Sequence, residues 1–502
     1  MYVKKSHLDE NKIGYLSKCC KLCYLCRLKI ITIKMEKIIG RERELLELQS
    51  SYSSEKSEFV VVYGRRRIGK TFLVRSFFKD RYDFHYVGGH KLNQKRQLQN
   101  FALALQQHSG APFLPELKDW YDAFNHLQKY IETLPENKRK VIFIDEMPWI
   151  DHAKSNFVAA LENFWNSWVS NRDDIFFVAC GSATSWMVDK LIMNQGGLHN
   201  RITKPIYLRP FTLKEVESYM ESKGGHWDRF QLTQTYMALG GVPYYLSLLD
   251  YNKSLVQNMD NLFFVKNGQL QTEFDELYSA LFSQSDRYIS VVRALYSKRA
   301  GLTRDEVANA TGLAGGGLSK ILSNLEKCDF IVSYVQFGNK RKNTIYRLSD
   351  FYTLFYLRFV EGNKTQDAEF WAHNINTPTV NSWQGLTFEL VCMLHLEQIK
   401  KALGICGIAT NVSCWRSEDA QIDLLIDRSD RMINLCEMKF SNEPYIITKD
   451  YEMKLRTRLA LFKEATRSRS GLIQTFVTTY GVAQGKHSSV AQCEITMDEL
   501  FS

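Results

Sequence analysis

The chain has 502 residues, of which 45% are hydrophobic and 24% are charged, a composition typical of an ordinary globular protein with about three domains. No window approaches the roughly 18 consecutive apolar residues of a transmembrane helix, so we expect a cytoplasmic protein without a membrane partner. The net charge of +10 decides little about nucleic acid, because residues 1–34 carry eight Lys and Arg against two acidic residues.

Residues 1–34 are a basic extension with Cys20, Cys23 and Cys26 in C-x-x-C-x-x-C spacing. A metal or iron–sulfur site would need a further ligand, and Ile30 stands where the usual downstream cysteine would fall. We favour the alternative that translation starts at Met35 and that the extension is not translated. The other cysteines are scattered, as expected for reduced thiols in a cytosol.

The next feature is a glycine-rich loop after the apolar run at residues 59–63. The sequence Gly64-Arg65-Arg66-Arg67-Ile68-Gly69-Lys70-Thr71 fits the P-loop pattern G-x-x-x-x-G-K-[ST]. Such a loop turns its backbone N–H groups toward a polyphosphate at a helix N-terminus. Lys70 is expected to reach the β- and γ-phosphates, and the Thr71 hydroxyl is expected to ligate Mg²⁺. The motif therefore predicts ATP and Mg²⁺ as cofactors.

Two further apolar runs end in polar residues that suit the same chemistry. Residues 141–144 lead into Asp145 and Glu146, a Walker B arrangement in which Asp145 would hold Mg²⁺ and Glu146 would polarise the attacking water. Residues 175–180 lead into Gly181 and Ser182. Ser182 either senses the γ-phosphate or caps the following helix, and the sequence does not separate these alternatives.

Arg201 precedes the next apolar run and is a candidate for stabilising negative charge in the transition state of hydrolysis. It could act in cis or from a neighbouring subunit of a homo-oligomer. The alternative is an ordinary surface arginine.

Together these segments resemble the archaeal-type ATPase family, on the AAA+/STAND side of the P-loop ATPases. The segments are Ile39-Gly40-Arg41-Glu42, the loop, Asp145-Glu146, Gly181-Ser182, Leu208-Arg209-Pro210-Phe211 and Gly240-Gly241-Val242-Pro243. The resemblance covers about residues 35–365. It implies a RecA-like α/β core at 35–211 and a small helical lid at 212–283. The apolar spacing of Leu213, Val216, Tyr219 and Met220 agrees with a helix at the start of the lid.

Residues 284–365 are predicted to form a winged helix and a connector. Thr303-Arg304-Asp305-Glu306 has the pattern of a helix-capping box, and Gly315-Gly316-Gly317 leads into a second helix. Ser319 and Lys320 on that helix could meet DNA bases or phosphates, and Lys340, Arg341 and Lys342 could contact phosphates from the wing. The alternative is a winged helix that serves only as a packing module.

The last segment, residues 380–502, is predicted to be an α/β domain of the PD-(D/E)xK nuclease-like type. Asp423, Glu437 and Lys439 have the spacing D-x13-E-x-K, which alone is expected about once per chain. Strand alternation would align them at one sheet edge, and Glu389 lies in a helix that is apolar nearly all round. The order of elements resembles the nuclease-like domain that closes many archaeal-type ATPases. This resemblance implies that Glu389, Asp423 and Glu437 bind Mg²⁺ and that Lys439 assists cleavage; the alternative is a buried ion network in a scaffold.

The sequence thus predicts a multidomain α/β protein with a P-loop ATPase core, a helical lid, a winged helix and a nuclease-like C-terminal domain. The favoured hypothesis is a Mg²⁺-dependent ATPase that engages DNA, with a metal-dependent nuclease gated by nucleotide state. The alternative is a STAND-like signalling switch whose C-terminal domain is a non-catalytic scaffold. The sequence does not reveal the DNA structure recognised, the oligomeric state or the pathway.

Overall fold

The computed structural model describes residues 38–152, 154–338 and 344–502. The predictions for the extension 1–34 and for Lys340, Arg341 and Lys342 lie outside the described residues. Within the described ranges, no helix combines the length and the apolar character that crossing a membrane requires.

The first sheet has five parallel strands in the order β2-β3-β4-β1-β5. The strands are β1 (Glu58–Tyr63), β2 (Phe84–Val87), β3 (Lys140–Asp145), β4 (Ile175–Gly181) and β5 (Lys204–Tyr207). The central strands are buried on both faces, as is typical of a parallel sheet between two helical layers. The carboxyl ends of β1, β3 and β4 therefore lie side by side, where ligands of such sheets bind. The predicted α/β core is confirmed.

Two helical layers cover this sheet. The elements are α1 (Glu42–Tyr52), α2 (Lys70–Phe78), α3 (Gln94–Ser109), α4 (Trp120–Glu132), α5 (Phe157–Ser167) and α6 (Thr184–Trp186), with 3-10 turns at Met147–Trp149 and Val169–Asn171 and a π-helical turn at Met187–Ile192. Val60 and Val62 of β1 pack with α1 and α2, whereas Phe59 and Val61 pack with α3, α4 and α5 on the other face. The alternation along β1 thus supplies both halves of the core.

The lid follows as a set of short helices. They are α7 (Leu213–Ser222), α8 (Arg229–Leu239), α9 (Pro243–Ser247), α10 (Leu255–Met259) with a π-helical turn at Asp260–Phe264, and α11 (Glu273–Leu281). Capping boxes begin three of them, at Thr212, Asp228 and Ser254. In α7, Leu213, Val216 and Met220 are buried, as their spacing predicted.

A helical unit with a small sheet comes next, and we call it the middle unit (residues 285–360). Its elements are α12 (Ser285–Ser297), β6 (Leu302–Thr303), α13 (Arg304–Thr311), α14 (Gly315–Lys327), β7 (Ile331–Tyr334), β8 (Ile345–Leu348) and α15 (Phe351–Phe355), with a π-helical turn at Tyr356–Val360. The strands are antiparallel in the order β6-β8-β7, and the capping box of Thr303 and Glu306 begins α13. This order of elements is the one expected for a winged helix, and that assignment stays a prediction.

The C-terminal part contains a second five-stranded sheet, in the order β13-β12-β11-β10-β9. Its elements are α16 (Phe370–Asn374), α17 (Pro378–Leu394), α18 (Leu396–Ala402), β9 (Thr410–Arg416), β10 (Gln421–Arg428), β11 (Met432–Lys439), α19 (Lys449–Thr466), β12 (Gly471–Thr478) and β13 (Cys493–Thr496), with 3-10 turns at Ser488–Val490 and Met497–Phe501. Strands β9, β10 and β11 are antiparallel, whereas β11, β12 and β13 are parallel. The hairpin predicted for β10 and β11 is present.

The lid, the middle unit and the C-terminal part share one continuous cluster of buried apolar side chains. His395, at the end of α17, fixes one junction: its Nε2 accepts a hydrogen bond from the Leu213 backbone N–H at 3.0 Å, and its Nδ1 donates to the Val391 carbonyl at 2.8 Å. Burial lowers the pKa of His395 to about 4, so the ring is neutral near pH 7, as both bonds require. We therefore treat these three parts as one body, called the carboxyl-terminal body below.

Candidate functional site

The P-loop connects β1 to α2 in a conformation that two glycines make possible. Gly64 and Gly69 have positive φ angles of 142° and 86°. A Cβ atom at Gly64 would lie 2.3 Å from the Leu208 carbonyl oxygen, so a side chain would force the loop away from the strand. The loop thus lies directly over the edge of the sheet, at the N-terminus of α2.

Lys70 is the first residue of α2, and its side chain is buried inside the loop. Its Nζ donates hydrogen bonds to the carbonyl oxygens of Gly64 at 3.0 Å and Arg65 at 2.8 Å. Burial lowers the pKa of Lys70, although Glu146 and Asp145 oppose this shift. The ammonium group is therefore fixed at the centre of the loop, as the motif predicted.

Thr71 and Asp145 come together from two different elements. The Thr71 hydroxyl donates to the Asp145 carboxylate at 2.7 Å, across 74 residues of sequence. A hydroxyl and a carboxylate are the oxygen ligands that Mg²⁺ accepts from a protein that also binds phosphates. The residues present therefore fit the predicted metal, and they would hold it beside the loop.

Glu146 and Ser182 form a second pair at the same edge. The Ser182 hydroxyl and backbone N–H donate to one carboxylate oxygen of Glu146, at 2.8 Å and 3.1 Å. Burial raises the pKa of Glu146, while Lys70 opposes the shift. The alternative in which Ser182 caps the next helix is wrong, because Ala183 occupies the N-cap position of α6. Contact of Ser182 with a γ-phosphate stays a prediction.

A cavity of about 820 Å³ opens from the loop toward the lid. Beyond the loop itself, its lining includes Ile38, Ile39, Tyr219, Lys223, Pro243 and Tyr244. Apolar side chains from the start of the core and from the lid thus face each other across the space next to Lys70. The cavity has the size and the mixed polarity of a site for a nucleotide.

Arg201 lies away from this cavity. It precedes β5, and β5 runs parallel to β1 with Lys204 opposite Val60, so Arg201 is at the amino-terminal edge of the sheet. The loop begins at the opposite edge, after Tyr63, about 20 Å away at the rise of a strand. Action of Arg201 in cis is therefore wrong for this arrangement, and action on a neighbouring subunit stays a prediction.

Sequence reasoning gave no specific role to Arg41. This residue is buried, and its guanidinium donates to the Arg209 carbonyl at 2.7 Å and to the Ile68 carbonyl at 3.2 Å. It also lies 4.7 Å from the centre of the Phe211 ring. Arg41 thus supports the back of the P-loop, and its place in the Gly40-Arg41-Glu42 box was the signal that could have found it.

Comparison with known families agrees with this geometry. Residues 38–249 match the model of a family described as an ATPase domain predominantly from Archaea. This segment is an archaeal-type ATPase domain. It contains the loop, the Asp145–Glu146 pair and the lid residues that line the cavity.

Two curated relatives come from Methanocaldococcus jannaschii. An uncharacterized protein is 25% identical over 415 residues, which cover 80% of this chain and 88% of that protein. An uncharacterized ATP-binding protein is 35% identical over 43 residues, which cover 9% of this chain and 73% of that protein.

Solved structures also align with the chain. The Walker-type ATPase of Pyrococcus abyssi aligns with a TM-score of 0.47 and 18% identity, covering 64% of this chain and 97% of that one. The ORC2 protein of Aeropyrum pernix aligns with a TM-score of 0.40 and 14% identity, covering 70% of this chain and 97% of that one.

Outside the ATPase domain, the carboxylates predicted for a nuclease site have other partners. Glu437 on β11 binds Lys439 at 2.7 Å and Arg458 of α19 at 2.6 Å, and it accepts a hydrogen bond from the Tyr451 hydroxyl. Burial alone would raise the pKa of Glu437, but Lys439 and Arg458 outweigh burial, and the pKa is lowered. Both carboxylate oxygens of Glu437 are therefore already paired within the domain.

Glu389 and Asp423 belong to the C-terminal part and lie next to the middle unit. Arg347 of β8 pairs with Glu389 at 3.4 Å, and the Gln421 side chain donates to Asp423. Burial, with a contribution from Asp423, raises the pKa of Glu389 to about 7. Arg347 and Asp423 also line the same small cavity between the middle unit and the C-terminal part.

Asp423, Lys439 and Glu437 all act on the pKa of Glu389, so the four residues predicted for the nuclease site lie near one another, and a shared metal site stays a prediction. Among the residues that the structure describes, no three His, Cys, Asp or Glu side chains are grouped so that they could hold a metal ion. Glu437 is paired with Lys439 and with Arg458 of α19, whereas Glu389 is paired with Arg347 of the middle unit. The register of β10 against β9 also shifts between Ile422 and Leu425, which disturbs the simple alternation expected around Asp423.

The residues predicted to contact DNA on α14 are exposed. The Ser319 hydroxyl accepts a hydrogen bond from the Arg304 side chain at 3.1 Å, which adds a guanidinium to this surface. Lys320 lies beside them.

Proposed function

We propose that the chain binds ATP with Mg²⁺ at the P-loop, hydrolyses it, and uses the nucleotide state to control the carboxyl-terminal body. The observation that carries the proposal is the contact of Thr71 with Asp145, next to a loop that already holds the Lys70 ammonium. Of the two hypotheses drawn from the sequence, this proposal is closer to the STAND-like signalling switch whose C-terminal domain is a non-catalytic scaffold.

The roles of the residues follow from their positions. Mg²⁺, when bound, supplies positive charge that stabilises the phosphate oxygens during transfer. Lys70 would bind the phosphates at the N-terminus of α2, where the helix dipole also favours negative charge. Glu146 would orient a water molecule and accept its proton, and Ser182 would hold the Glu146 carboxylate in place.

We further propose that the C-terminal domain acts as a scaffold and that its carboxylates form a buried ion network. Support comes from the pairing of Glu437 with Lys439 and Arg458, and of Glu389 with Arg347. Removing one partner of such a network would leave an uncompensated buried charge, so these pairs can stabilise the packing of the domain without any role in catalysis.

One joint assay tests both proposals on the full chain. We expect Mg²⁺-dependent phosphate release from ATP that EDTA abolishes, whereas supercoiled DNA with Mg²⁺ or Mn²⁺ stays uncut. Absence of phosphate release would contradict the first proposal. DNA nicking that is lost in both Asp423→Ala and Lys439→Ala, while phosphate release continues, would contradict the scaffold and favour the nuclease.

Engagement of DNA through α14 is a second proposal, which the exposed pair of Ser319 and Lys320 beside Arg304 supports. We expect Lys320→Ala to weaken binding of duplex DNA roughly three- to tenfold near 0.1 M salt, and to reduce the slope of log K against log salt by about one. Fluorescence anisotropy measures both quantities. Lys129→Ala, which changes an exposed lysine of the ATPase domain, is the control, and equal affinities of the two variants would rule out α14 as the contact surface.

A further inference from the structure

The P-loop contains three consecutive arginines, and two of them form ion pairs with carboxylates of the carboxyl-terminal body. The side chain of Arg65 extends out of the ATPase domain to Asp350. Its Nη1 lies 2.5 Å from the Asp350 carboxylate, and the two side chains are only 3% and 2% exposed. Asp350 belongs to the carboxyl-terminal body, 285 residues further along the chain. A buried ion pair thus joins the phosphate-binding loop to the middle unit, at the start of α15.

Asp350 is itself held rigidly. It is the N-cap residue of α15, and its other carboxylate oxygen accepts hydrogen bonds from the Thr353 backbone N–H at 3.0 Å and hydroxyl at 2.6 Å. The carboxylate therefore moves only if the start of α15 moves with it. Any displacement of the carboxyl-terminal body reaches the Arg65 side chain.

The backbone of Arg65 carries the displacement on to Lys70. The Arg65 carbonyl accepts a hydrogen bond from the Lys70 Nζ at 2.8 Å, while its side chain is bound to Asp350. One residue therefore connects the phosphate-binding ammonium to the carboxyl-terminal body. A shift of a fraction of an ångström at Arg65 would change the position of the Lys70 acceptor.

Asp350 is the main partner of the Arg65 guanidinium. The guanidinium lies 5.1 Å from the centre of the Phe330 ring, and its Nε and Nη2 have no hydrogen-bond partner among the described residues. Burial disfavours the charged guanidinium, but Asp350 outweighs burial, and the pKa of Arg65 is raised. Without Asp350 the buried guanidinium would keep only the weaker attraction of the Asp329 carboxylate, and we expect the side chain to leave its position.

Arg67 provides a second connection of the same kind. Its Nη2 lies 2.6 Å from the Glu273 carboxylate at the start of α11, and its guanidinium lies 4.2 Å from the centre of the Tyr244 ring. Its carbonyl accepts a hydrogen bond from the Tyr244 N–H at 3.3 Å. The loop is thus bound at two points, by Glu273 of the lid and by Asp350 of the middle unit. Both carboxylates lie outside the segment 38–249 that matches the ATPase family.

We propose that Asp350 is a positioning residue for the phosphate-binding loop: through Arg65 it places Lys70, and it thereby couples ATP binding to the docking of the carboxyl-terminal body. The inference rests on the proposed binding of ATP at the loop. Coupling is reciprocal, so ATP binding also changes how firmly α15 is held against the loop.

The test compares Asp350→Asn with wild type in the full chain. Asparagine keeps the shape of the side chain but removes the charge that holds Arg65. We expect the Kd for ATP with Mg²⁺, measured by calorimetry, to rise at least tenfold, and the increase in Tm on adding ATP to shrink accordingly. The control is Asp498→Asn, which removes the carboxylate of an exposed ion pair with Arg229 at 3.0 Å and leaves the loop untouched.

Hydrogen exchange supplies a measurement that a merely structural ion pair would not change. In wild type, we expect ATP with Mg²⁺ to alter the exchange of peptides covering residues 345–355, and we expect Asp350→Asn to lose this response. If Asp350→Asn does not fold, Asp350→Glu keeps the charge but displaces it by one methylene, and its Kd decides. An ATP affinity within twofold of wild type in the folded variant overturns the inference. Failure of wild type to bind ATP would instead reject the proposed function.

Discussion

Replacing Lys70 with alanine is expected to weaken ATP binding at least about 100-fold, which corresponds to about 2.7 kcal/mol. The side chain is buried in the loop, and the carbonyls of Gly64 and Arg65 hold its ammonium group there. Its loss would remove the charge-assisted hydrogen bonds that we expect it to make to the phosphates. Calorimetry with ATP and Mg²⁺ measures the affinity, and phosphate release should fall to the background rate.

Lys95→Ala is a matched control for this variant, because it removes an exposed lysine of α3 and should leave the affinity unchanged. Circular dichroism and the Tm would show whether the Lys70 variant is folded, since its removal leaves the carbonyls of Gly64 and Arg65 without a donor. A folded Lys70→Ala protein with the affinity of wild type would mean that the loop does not bind the phosphates.

Replacing Glu146 with glutamine is expected to separate binding from hydrolysis. Glutamine retains an oxygen that can accept the hydrogen bonds from Ser182, but it cannot take a proton from water. The rate of hydrolysis should fall about 100- to 1,000-fold, the usual contribution of a positioned general base, while the Kd for ATP changes less than about threefold. Single-turnover phosphate release and calorimetry measure the two quantities.

Glu136→Gln, at an exposed position before β3, is the corresponding control. Hydrolysis by Glu146→Gln within threefold of wild type would remove Glu146 from the reaction. A comparable loss in both binding and hydrolysis would indicate that Glu146 supports the loop and does not act on water.

The ATPase half of the molecule could be predicted in detail from the sequence because its signals are local. The P-loop motif alone positions Gly64, Gly69, Lys70 and Thr71. Asp145 ends an apolar strand, and the run of apolar residues places that strand in the interior of a parallel sheet. The contact of Thr71 with Asp145 needs only that these two strands end at the same edge. For the same reason the capping box at the start of α13 could be predicted from four residues, Thr303 to Glu306.

The partners of the long charged side chains could not be predicted, because they depend on how the domains dock. Arg65 looks like any other arginine of the loop until α15 brings Asp350 against it across 285 residues. Glu437 likewise fits a nuclease pattern by its spacing. Only the packing of α19 against β11 shows that its carboxylate forms an ion pair with Arg458. Arg201 is a third example. Its residue type suggested a role in catalysis, but the sequence did not show that it lies at the edge of the sheet opposite the P-loop.

The central claim is that the loop around Lys70, with Asp145 beside it, binds a nucleoside triphosphate together with Mg²⁺. Titration of the full-length wild-type protein with ATP by calorimetry, in the presence of Mg²⁺ and again with EDTA, tests it most directly. We expect one saturable site whose affinity for ATP falls when the metal is removed. No detectable heat of binding for ATP or GTP in the presence of Mg²⁺, from a folded preparation, would contradict it.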